Sequence, residues 1–523
     1  MVRKRLSFSL DSLSIPPETV EILRRGTYNR YCSDFLIIDI TAVSGHPADW
    51  ERERLLMSLQ PSTKASVFFD RLKTKQVAII GIGVSHTNLI RMFHQKGIPV
   101  VVYDRRTREE LGAIGDEFES LGIPMELGPK YLRRLGGDII FRTPGMNFHS
   151  PELQAARRAG SIITSEVEVF FDLCPATTIG ITGSDGKTTT TTLIAEMLKE
   201  GGKTVHLGGN IGRALLPDIE KVQPEDFVVA ELSSFQLISM RQSPDVAVVT
   251  NVSPNHLDVH KDMEEYIEAK ENIFLHQNGF GKTVLNADNL ITNGFDKLVR
   301  GRIEKFSRLS AVQRGAWMDN SGVIWYSDND SQTRLLRSET LKLPGQHNVE
   351  NFLAAVTAVW DYVPKEAMRK VGIQFAGVEH RIEFVRELNG VKWYNDSIAT
   401  SPTRTIAGLR SFDQKLIVIA GGYDKHIPYE PLAPEILSHV KVLILTGATA
   451  PRIEEAVRSC KGFSESGLAI LHADSLPEAV HLAQVAAGPG DIISLSPASA
   501  SFDQYPNFEA RGRYFKELVN ALE

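Results

Sequence analysis

The chain has few cysteines and no long apolar run, and these two absences limit the class of protein to which it can belong. Three cysteines occur in 523 residues, at Cys32, Cys174 and Cys460. Because they are odd in number and far apart, they give neither a disulfide framework nor metal-ligand spacing, and a reducing cytosol fits best. No apolar stretch approaches the ~18 residues of a membrane helix, and the basic start MVRKRLSFSL lacks the apolar core of a signal peptide. We therefore expect a cytoplasmic protein without membrane insertion.

The chain also lacks an excess of basic residues. Lysine and arginine number 58 against 64 aspartates and glutamates, which gives a net charge of −6. No overall positive field is present, so we expect no nucleic-acid partner, while a local basic pocket for an anionic small molecule stays open. We expect a monomer. A length of 523 residues predicts two to four domains, because single cores stop growing well below that length.

Short apolar strands alternate with helices along most of the chain. In KQVAIIGIG, HTNLIRMFHQKG and IPVVVYDRR, a strand, a helix and a second strand follow one another with short links. This order predicts a parallel sheet with right-handed crossovers. Similar units begin near Pro175 and after Gly377, and the aromatic alternation around the turn at residues 320–322 predicts an antiparallel hairpin. The predicted fold class is α/β, with three domains whose strand ends face one site.

We predict four segments from these changes of pattern. Residues 1–72 are an extension of unknown role, in which DFLIIDITAV is interpreted as a strand and ADWERERLLMSLQ as a helix. Three domains follow, with boundaries at residues 73–173, 174–377 and 378–523.

A glycine-rich turn between a strand and a helix carries the strongest chemical signal. In ATTIGITGSDGKTTTTTL, Gly183 and Gly186 allow backbone N–H groups to point into the turn, and Lys187 adds a positive charge at a helix N-terminus. Thr188 offers a hydroxyl to Mg²⁺. Ile181 stands where the common G-x-x-x-x-G-K-T motif begins, and the glycine comes one residue earlier. The placement between a strand and a helix predicts a triphosphate site.

The first domain carries a weaker signal in GIGVSH. A dinucleotide fingerprint needs a third glycine where His86 stands. Asp104 ends the second strand, where an acidic residue can bind a ribose or base edge. Arg105 and Arg106 follow it and suit a phosphate-rich ligand. A mononucleotide-linked ligand is favoured over a nicotinamide cofactor, and a purely structural turn is the remaining alternative.

Three further residues are candidates for a metal site. Glu231 stands at the end of a predicted strand, as does the acid that holds Mg²⁺ in many phosphate-binding folds. His256 also follows a strand, but imidazole is a poor ligand for Mg²⁺. Lys270 lies on a predicted helix, where a lysine is usually a solvated cation. From residue type alone, neither His256 nor Lys270 would be assigned a role.

The motifs taken together resemble the Mur ligases. GITGSDGKTTTT, GGNIG, ELSSFQL, NVSPNHLDVH, YIEAKENIF, LPGQHNVENFLAA, EHRIEFV and YNDSIAT occur in the family's order and approximate spacing, from residue 73 to the C-terminus. GGYDK and LSPASASFDQYPNFEARG are most similar to members that add D-glutamate to UDP-N-acetylmuramoyl-L-alanine in peptidoglycan precursor synthesis. The resemblance implies a Rossmann-like UDP-binding domain, a central P-loop ATPase domain and a Rossmann-like C-terminal domain.

The resemblance implies ATP and two Mg²⁺ ions. Lys187, His256 and Lys270 would be the catalytic residues, and Lys270 would be carbamylated, because a carbamate is an anion whereas a free ammonium repels Mg²⁺. The residues implied for ATP are Gly183, Ser184, Asp185, Gly186, Lys187, Thr188, Thr189, Asn348, Asn351, Arg381 and Asp396. The residues implied for the metal ions are Thr188, Glu231, His256 and the modified Lys270.

The resemblance also implies two substrate subsites. The UDP-substrate residues would be Ser85, Asp104, Arg105, Arg106, Thr143, Pro144, Gly145, Asn210 and Ser233. The D-glutamate residues would be Thr400, Lys425, Ser501 and Phe508. Ile398 stands where the family often has lysine, so we assign it no role and leave that charge to Lys425 or Arg404. Two other functions stay open: a related ligase for another amino acid or for folate, and a non-catalytic nucleotide sensor.

Overall fold

The computed structural model describes residues 64–523, except 211–213, 255–259, 344 and 425–427. Four sequence predictions lie outside these residues: the strand in DFLIIDITAV, the helix in ADWERERLLMSLQ, the metal ligand His256 and the D-glutamate residue Lys425. In the described part of the chain, no helix is both long enough and apolar enough to cross a bilayer.

The first domain is a five-stranded parallel sheet with helices on its faces. The strand order is β3-β2-β1-β4-β5, and every residue of β1 is buried, as expected when helices cover both faces of a parallel sheet. The strands are β1 Val77–Ile80, β2 Val100–Asp104, β3 Met125–Leu127, β4 Ile139–Phe141 and β5 Ile162–Thr164. The helices are α1 Lys64–Leu72, α2 Val84–Gln95, α3 Arg108–Leu111, α4 Ala113–Ser120, α5 Pro151–Arg158 and α6 Glu166–Leu173.

Helix α1 precedes the domain start predicted from the sequence. Its Phe69 is 2% exposed and contacts Phe93 of α2 edge to face, with ring centroids 6.3 Å apart. Residues 64–72 therefore contribute to the core of the first sheet. The boundary at 72/73 stays a prediction, and α1 argues for placing it earlier.

The second domain combines a six-stranded parallel sheet, of order β11-β10-β9-β6-β8-β7, with a three-stranded antiparallel sheet, β12-β13-β14. The hairpin predicted at residues 320–322 is confirmed as β12 paired with β13, and a third strand extends it. The strands are β6 Thr177–Thr182, β7 Val205–Gly209, β8 Phe227–Glu231, β9 Val246–Val249, β10 Lys282–Asn286, β11 Arg302–Phe306, β12 Arg314–Met318, β13 Val323–Asp328 and β14 Ser331–Arg337. The α-helices are α7 Lys187–Glu200, α8 Ser234–Leu237, α9 Met263–Leu275, α10 Leu290–Asn293, α11 Gln346–Val359 and α12 Lys365–Gln374, with 3₁₀ turns at Leu216–Lys221, Gly294–Leu298 and Ser338–Thr340.

The third domain is a six-stranded sheet of order β15-β16-β20-β17-β18-β19. The pair β15–β16 is antiparallel, and the other neighbours are parallel. The strands are β15 Glu383–Leu388, β16 Val391–Asn395, β17 Leu416–Gly421, β18 Val440–Thr446, β19 Ala469–His472 and β20 Ile492–Leu495. The helices are α13 Pro402–Leu409, α14 Ala433–His439, α15 Ala450–Arg458, α16 Phe463–Ser466, α17 Leu476–Ala486 and α18 Phe508–Ala521.

Helix α6 packs the first domain onto the second. Its Phe170 is fully buried in an apolar cluster that includes Ile79 of β1 and Val249 of β9. Glu166, at the start of α6, accepts a hydrogen bond of 2.6 Å from the backbone N–H of Leu216. The two sheets therefore share a continuous core.

We predict that Phe170→Ala lowers the free energy of unfolding by about 3–5 kcal/mol, because it removes a buried ring and leaves a cavity in this shared core. Urea unfolding checks the prediction, with Phe280→Ala as the matched control. Phe280 is 98% exposed, so its truncation changes stability by no more than about 0.5 kcal/mol. Equal effects of the two substitutions would contradict the assigned packing.

Candidate active site

The glycine-rich turn predicted to hold phosphate joins β6 to α7. Lys187 is the first residue of α7, and its Nζ donates to the carbonyls of Gly183 and Ser184, at 2.9 Å each. Asp185 donates its backbone N–H to Asn251 Oδ1 at 2.9 Å. These bonds fix the turn at the amino end of a 14-residue helix, where backbone N–H groups and the helix dipole favour an anion.

Gly186 and the asparagines of α11 are in close contact. Gly186 has φ +77°, and a Cβ there would collide with Asn351 Oδ1. Asn351 accepts a 3.3 Å hydrogen bond from Thr190 of α7, and its Nδ2 donates to Asn348 Oδ1 at 3.1 Å. The structure thus brings Asn348 and Asn351, both predicted to contact ATP, beside the turn. Thr189 lies in the first turn of α7.

The hydroxyl of Thr188 joins two domains. It donates to Glu231 Oε2 at 2.7 Å and accepts from Nη1 of Arg381, a third-domain residue, at 2.6 Å. Asn210 donates from Nδ2 to the other oxygen of Glu231 at 2.7 Å. Because β6 and β8 are parallel neighbours, their carboxyl ends bring Thr188 and Glu231 to one edge of the sheet.

Lys270 reaches the same turn from α9. It is 1% exposed, its Nζ donates to the Gly183 carbonyl at 2.8 Å, and the ammonium lies 4.6 Å from the centre of the Tyr266 ring. Burial, and then the positive charge of Lys187, lower the pKa of Lys270 to about 7. The Tyr266 hydroxyl is 3.0 Å from Ser184 Oγ. The lysine predicted on a solvated helix face is therefore buried against the turn.

Arg381 stands on a strained loop of the third domain. His380 and Ile382, on either side of it, have φ values of +65° and +45°, a region that β-branched residues rarely enter. Asp396 accepts from the Ile382 backbone N–H at 3.2 Å and from Ser496 Oγ at 2.8 Å. Burial raises the pKa of Asp396 to about 7. In this structure Asp396 supports the backbone beside Arg381.

In the first domain, Asp104 organises its own loop. Its carboxylate accepts from the Ile82 N–H at 2.7 Å, from the Arg106 N–H at 2.9 Å and from the Arg106 guanidinium at 2.8 Å. Burial alone would raise the pKa of Asp104, but the bonds from Arg106 and Ile82 bring it below its usual value. Arg105 is exposed beside it.

His86, at the position of the missing third glycine, is 1% exposed. Its Nδ1 donates to the carbonyls of Ile80 and Gly81, at 3.0 and 3.1 Å. Burial lowers the pKa of His86 to about 4, so the ring is neutral at physiological pH. The histidine therefore contacts the end of β1 and the first residue of the loop that follows it.

The other predicted substrate residues lie at loop ends of the first two domains. Ser85 is half-buried in the first turn of α2. Thr143 and Pro144 are half-buried and Gly145 is exposed, in the turn after β4. Ser233 caps α8 and accepts from the Gln236 N–H at 3.3 Å.

Two predicted D-glutamate residues, Thr400 and Ser501, lie in neighbouring loops of the third domain, and a third, Phe508, begins α18. A residue that we did not predict, Arg511, holds these segments together. The Ser397 hydroxyl donates to the Phe508 carbonyl at 2.8 Å. Arg511, 4% exposed, donates to Ser397 O, Ser499 O and Ala500 O at 3.0–3.1 Å. Thr400 and Ser501 belong to the same two loops. Arg511 belongs to the FEARG motif, but its residue type alone does not predict a buried position.

The donors at this site fit a magnesium–nucleotide ligand. Thr188 and Glu231 offer a hydroxyl and a carboxylate 2.7 Å apart, and oxygen donors are the ligands Mg²⁺ prefers. In the described ranges, no three His, Cys, Asp or Glu side chains form a metal-binding group. The predicted ligand His256 lies outside those ranges.

Comparison with known proteins identifies the class. A MurD-like N-terminal domain of the Mur ligases matches residues 75–165, a Mur ligase middle domain matches 181–359, and a Mur ligase glutamate ligase domain matches 380–499. The chain belongs to the Mur ligase family, as its motifs predicted, and the predicted three-domain α/β architecture is confirmed.

Several relatives share the name of one particular Mur ligase. UDP-N-acetylmuramoylalanine--D-glutamate ligase of Acetivibrio thermocellus is 52% identical over 468 residues, which are 88% of this chain and 100% of that protein. The proteins of the same name from Clostridium acetobutylicum and Ruminiclostridium cellulolyticum are both 50% identical, over 459 and 465 residues. These matches cover 87% and 88% of this chain, and 98% and 100% of those proteins.

We predict that Gly186→Ala impairs ATP binding as well as stability, because the new methyl group would displace Asn351. Gly202→Ala is the matched control: Gly202 also has φ +77°, but no atom lies within 4 Å of the place that a Cβ would take. The control should lose about 1 kcal/mol of stability from backbone strain and keep its KM for ATP. An unchanged KM for ATP in Gly186→Ala would contradict the placement of ATP at this turn.

Proposed function

We propose that this protein joins D-glutamate to UDP-N-acetylmuramoyl-L-alanine, with conversion of ATP to ADP and phosphate, in cytoplasmic peptidoglycan precursor synthesis. The observation that best supports an ATP-dependent ligation is the hydrogen bond from Arg381 of the third domain to Thr188 of the phosphate-binding turn. It joins the domain proposed to bind the amino acid to the residues proposed to bind ATP. The choice of D-glutamate follows the 52% identical relative, whose whole length this chain spans.

The proposed reaction has two steps. A carboxylate oxygen of the alanine attacks the γ-phosphorus of ATP, and the bond from that phosphorus to the ADP oxygen breaks, which gives an acyl phosphate and ADP. The amine of D-glutamate then adds to the acyl carbon. The bond from that carbon to the phosphate oxygen breaks, the amine releases a proton to solvent, and an amide and inorganic phosphate form.

The chain's own residues supply charge and order for these steps. Lys187 at the start of α7 neutralises charge on the β- and γ-phosphates, together with the N–H groups of the turn. Arg381 adds a second cation from the third domain when the site is assembled. Excluding water protects the acyl phosphate from hydrolysis, which is a reason for building the site from three domains.

We assign the metal ligands as Thr188, Glu231 and His256, with Lys270 as a carbamate. Bound Mg²⁺ ions would supply positive charge for the phosphate oxygens. The support for Lys270 is its position: it is buried on the Gly183 carbonyl, beside Lys187 and near Glu231. A second free ammonium there would oppose a cation, whereas a carbamate would attract one.

We place the two other substrates on the remaining predicted residues, with a monomer as the acting species. The UDP-substrate would contact Ser85, Arg105, Arg106, the turn at residues 143–145, Asn210 and Ser233. D-glutamate would contact Thr400, Lys425, Ser501 and Phe508. Because Asp104 already accepts bonds from Arg106 and the Ile82 N–H, we expect it to act on the UDP-substrate through the loop that it orders.

The proposal is tested by incubating the protein with UDP-N-acetylmuramoyl-L-alanine, ATP and a panel of D- and L-amino acids. We expect phosphate release that depends on D-glutamate, and no D-glutamate-dependent release from Lys187→Ala. Release with a different amino acid would identify a related ligase. Nucleotide binding without any ligation would indicate a sensor and would contradict the proposal.

We predict that Lys270→Ala loses at least about 99% of the ligase activity and regains part of it with added short carboxylic acids, which replace the carbamate charge. Lys282→Ala is the matched control. Lys282 is also a buried lysine of the second domain, 3% exposed, and is paired with Asp361 at 3.1 Å. Its loss should lower stability without any rescue. A crystal structure of the fully active protein that shows a free amine at Lys270 would overturn the carbamate.

A further inference from the structure

Two first-domain residues on either side of the turn at residues 143–145 are tied to one segment of the second domain. Arg142 precedes the turn and His149 follows it. Both connect, directly or through other side chains, to residues 234–239, which include helix α8. Ser233, the capping residue of α8, and the turn itself are both assigned to the UDP-substrate under the proposed function.

The first tie is a buried guanidinium. Arg142 is 1% exposed, and its Nη2 donates to the Phe235 carbonyl at 2.7 Å and to Ser239 Oγ at 2.8 Å. Ser239 in turn donates to Glu168 Oε2 at 3.0 Å. A hydroxyl thus connects a buried positive charge to a buried carboxylate of α6. The guanidinium also lies 5.3 Å from the centre of the Phe148 ring.

The second tie is a chain of polar side chains. His149 Nε2 is 2.9 Å from Glu265 Oε1, and Glu265 Oε2 is 3.3 Å from His260 Nδ1. His260 Nε2 is 2.9 Å from Ser234 Oγ. The rings of His260 and Phe235 are stacked, with centroids 5.1 Å apart. Both ties therefore end on the residues that immediately follow Ser233.

A buried arginine needs a reason at this position. Burying a charge is costly unless it is paired and hydrogen-bonded, and an apolar core would fill the same space at lower cost. Arg142 Nε has no hydrogen-bond partner among the described residues. What the guanidinium supplies, and an apolar side chain could not, is directional bonding from the end of β4 to both Phe235 and Ser239.

We propose that Arg142 is a positioning residue for the UDP-linked substrate. Through Phe235 and Ser239 it fixes the turn at residues 143–145 relative to Ser233, so that a first-domain loop and a second-domain helix cap contact one substrate together. This inference rests on the proposed function for the location of that substrate. Arg142 itself acts through its neighbours and need not touch the substrate.

The test is steady-state kinetics of Arg142→Met in the full-length protein. The KM for UDP-N-acetylmuramoyl-L-alanine should rise about 10- to 100-fold, the effect of losing charged hydrogen bonds. The KM values for ATP and D-glutamate, and kcat, should stay within about twofold. Arg142→Lys, which keeps the charge and one donor group, should restore part of the loss. A purely structural role would lower kcat with the folded fraction and leave every KM unchanged.

Arg157→Met is the matched control. Its guanidinium lies over the same Phe148 ring, at 5.0 Å, and donates to Gln154 within its own helix, but the residue is exposed. Its substitution should leave the KM for the UDP-substrate unchanged.

Adding Ser239→Ala to Arg142→Met should raise the KM for the UDP-substrate no further than Arg142→Met alone, because both changes break the same hydrogen bond.

Two milder variants keep the test decisive if Arg142→Met does not fold. Ser239→Ala removes one acceptor of the guanidinium, and His149→Gln weakens the second tie at a side chain that is 58% exposed. Each should raise the KM for the UDP-substrate about three- to tenfold. A folded Arg142→Met, or these two variants, with a wild-type KM would overturn the proposal.

Failure of the proposed function is distinguishable from failure of this inference. If the wild-type protein ligates an amino acid other than D-glutamate, the KM comparison is run with that amino acid. If it ligates none, equilibrium binding of UDP-N-acetylmuramoyl-L-alanine replaces the KM. Equal binding by wild type and Arg142→Met, or no binding by either, would overturn the positioning role.

Discussion

The hydroxyl of Thr188 is the point on which the arrangement of the site depends. It donates to Glu231 in its own domain and accepts from Arg381 in the next. Parallel sheets present their polar loops at the carboxyl ends of the strands, so a site shared by several sheets requires these edges to face one another. The hydrogen bond from Arg381 to Thr188 shows that the second and third sheets face one another in this way. The turn, the carboxylate of Glu231 and the third-domain loop are positioned around it.

The sequence predicted the parts of the molecule that local chemistry determines. Short apolar runs with polar ends correctly gave the parallel sheets, and the alternation around residues 320–322 correctly gave the hairpin. The turn before Lys187 is identifiable because the glycine, lysine and threonine needed for phosphate stand next to one another in the chain. These signals come from residues that are close together in the sequence, so they can be recognised without knowledge of the tertiary structure.

Features that arise from tertiary contacts are not predictable in the same way. Arg142 and Arg511 look like ordinary surface cations in the sequence, yet both are buried and bonded to carbonyls of distant segments. Residue type alone predicts a solvated lysine at Lys270, and its burial comes from the packing of α9 on the turn. The position of Asp104 at a strand end does not reveal the hydrogen bonds that its carboxylate accepts from its own loop. In each case the deciding partner is remote in the chain or is a backbone group.

The positive φ angles of His380 and Ile382 carry a consequence for the evolution and engineering of this protein. Such conformations cost about 1–3 kcal/mol each and persist because the surrounding third domain imposes them. Glycine at position 382 would relieve the strain in the folded protein, but it would also free the backbone that aims Arg381. Selection for thermal stability alone would therefore loosen the loop that holds Arg381 on Thr188. Relief of this strain and a fixed bond between the second and third domains are opposing demands, so stabilised variants of this protein are better sought elsewhere in the chain.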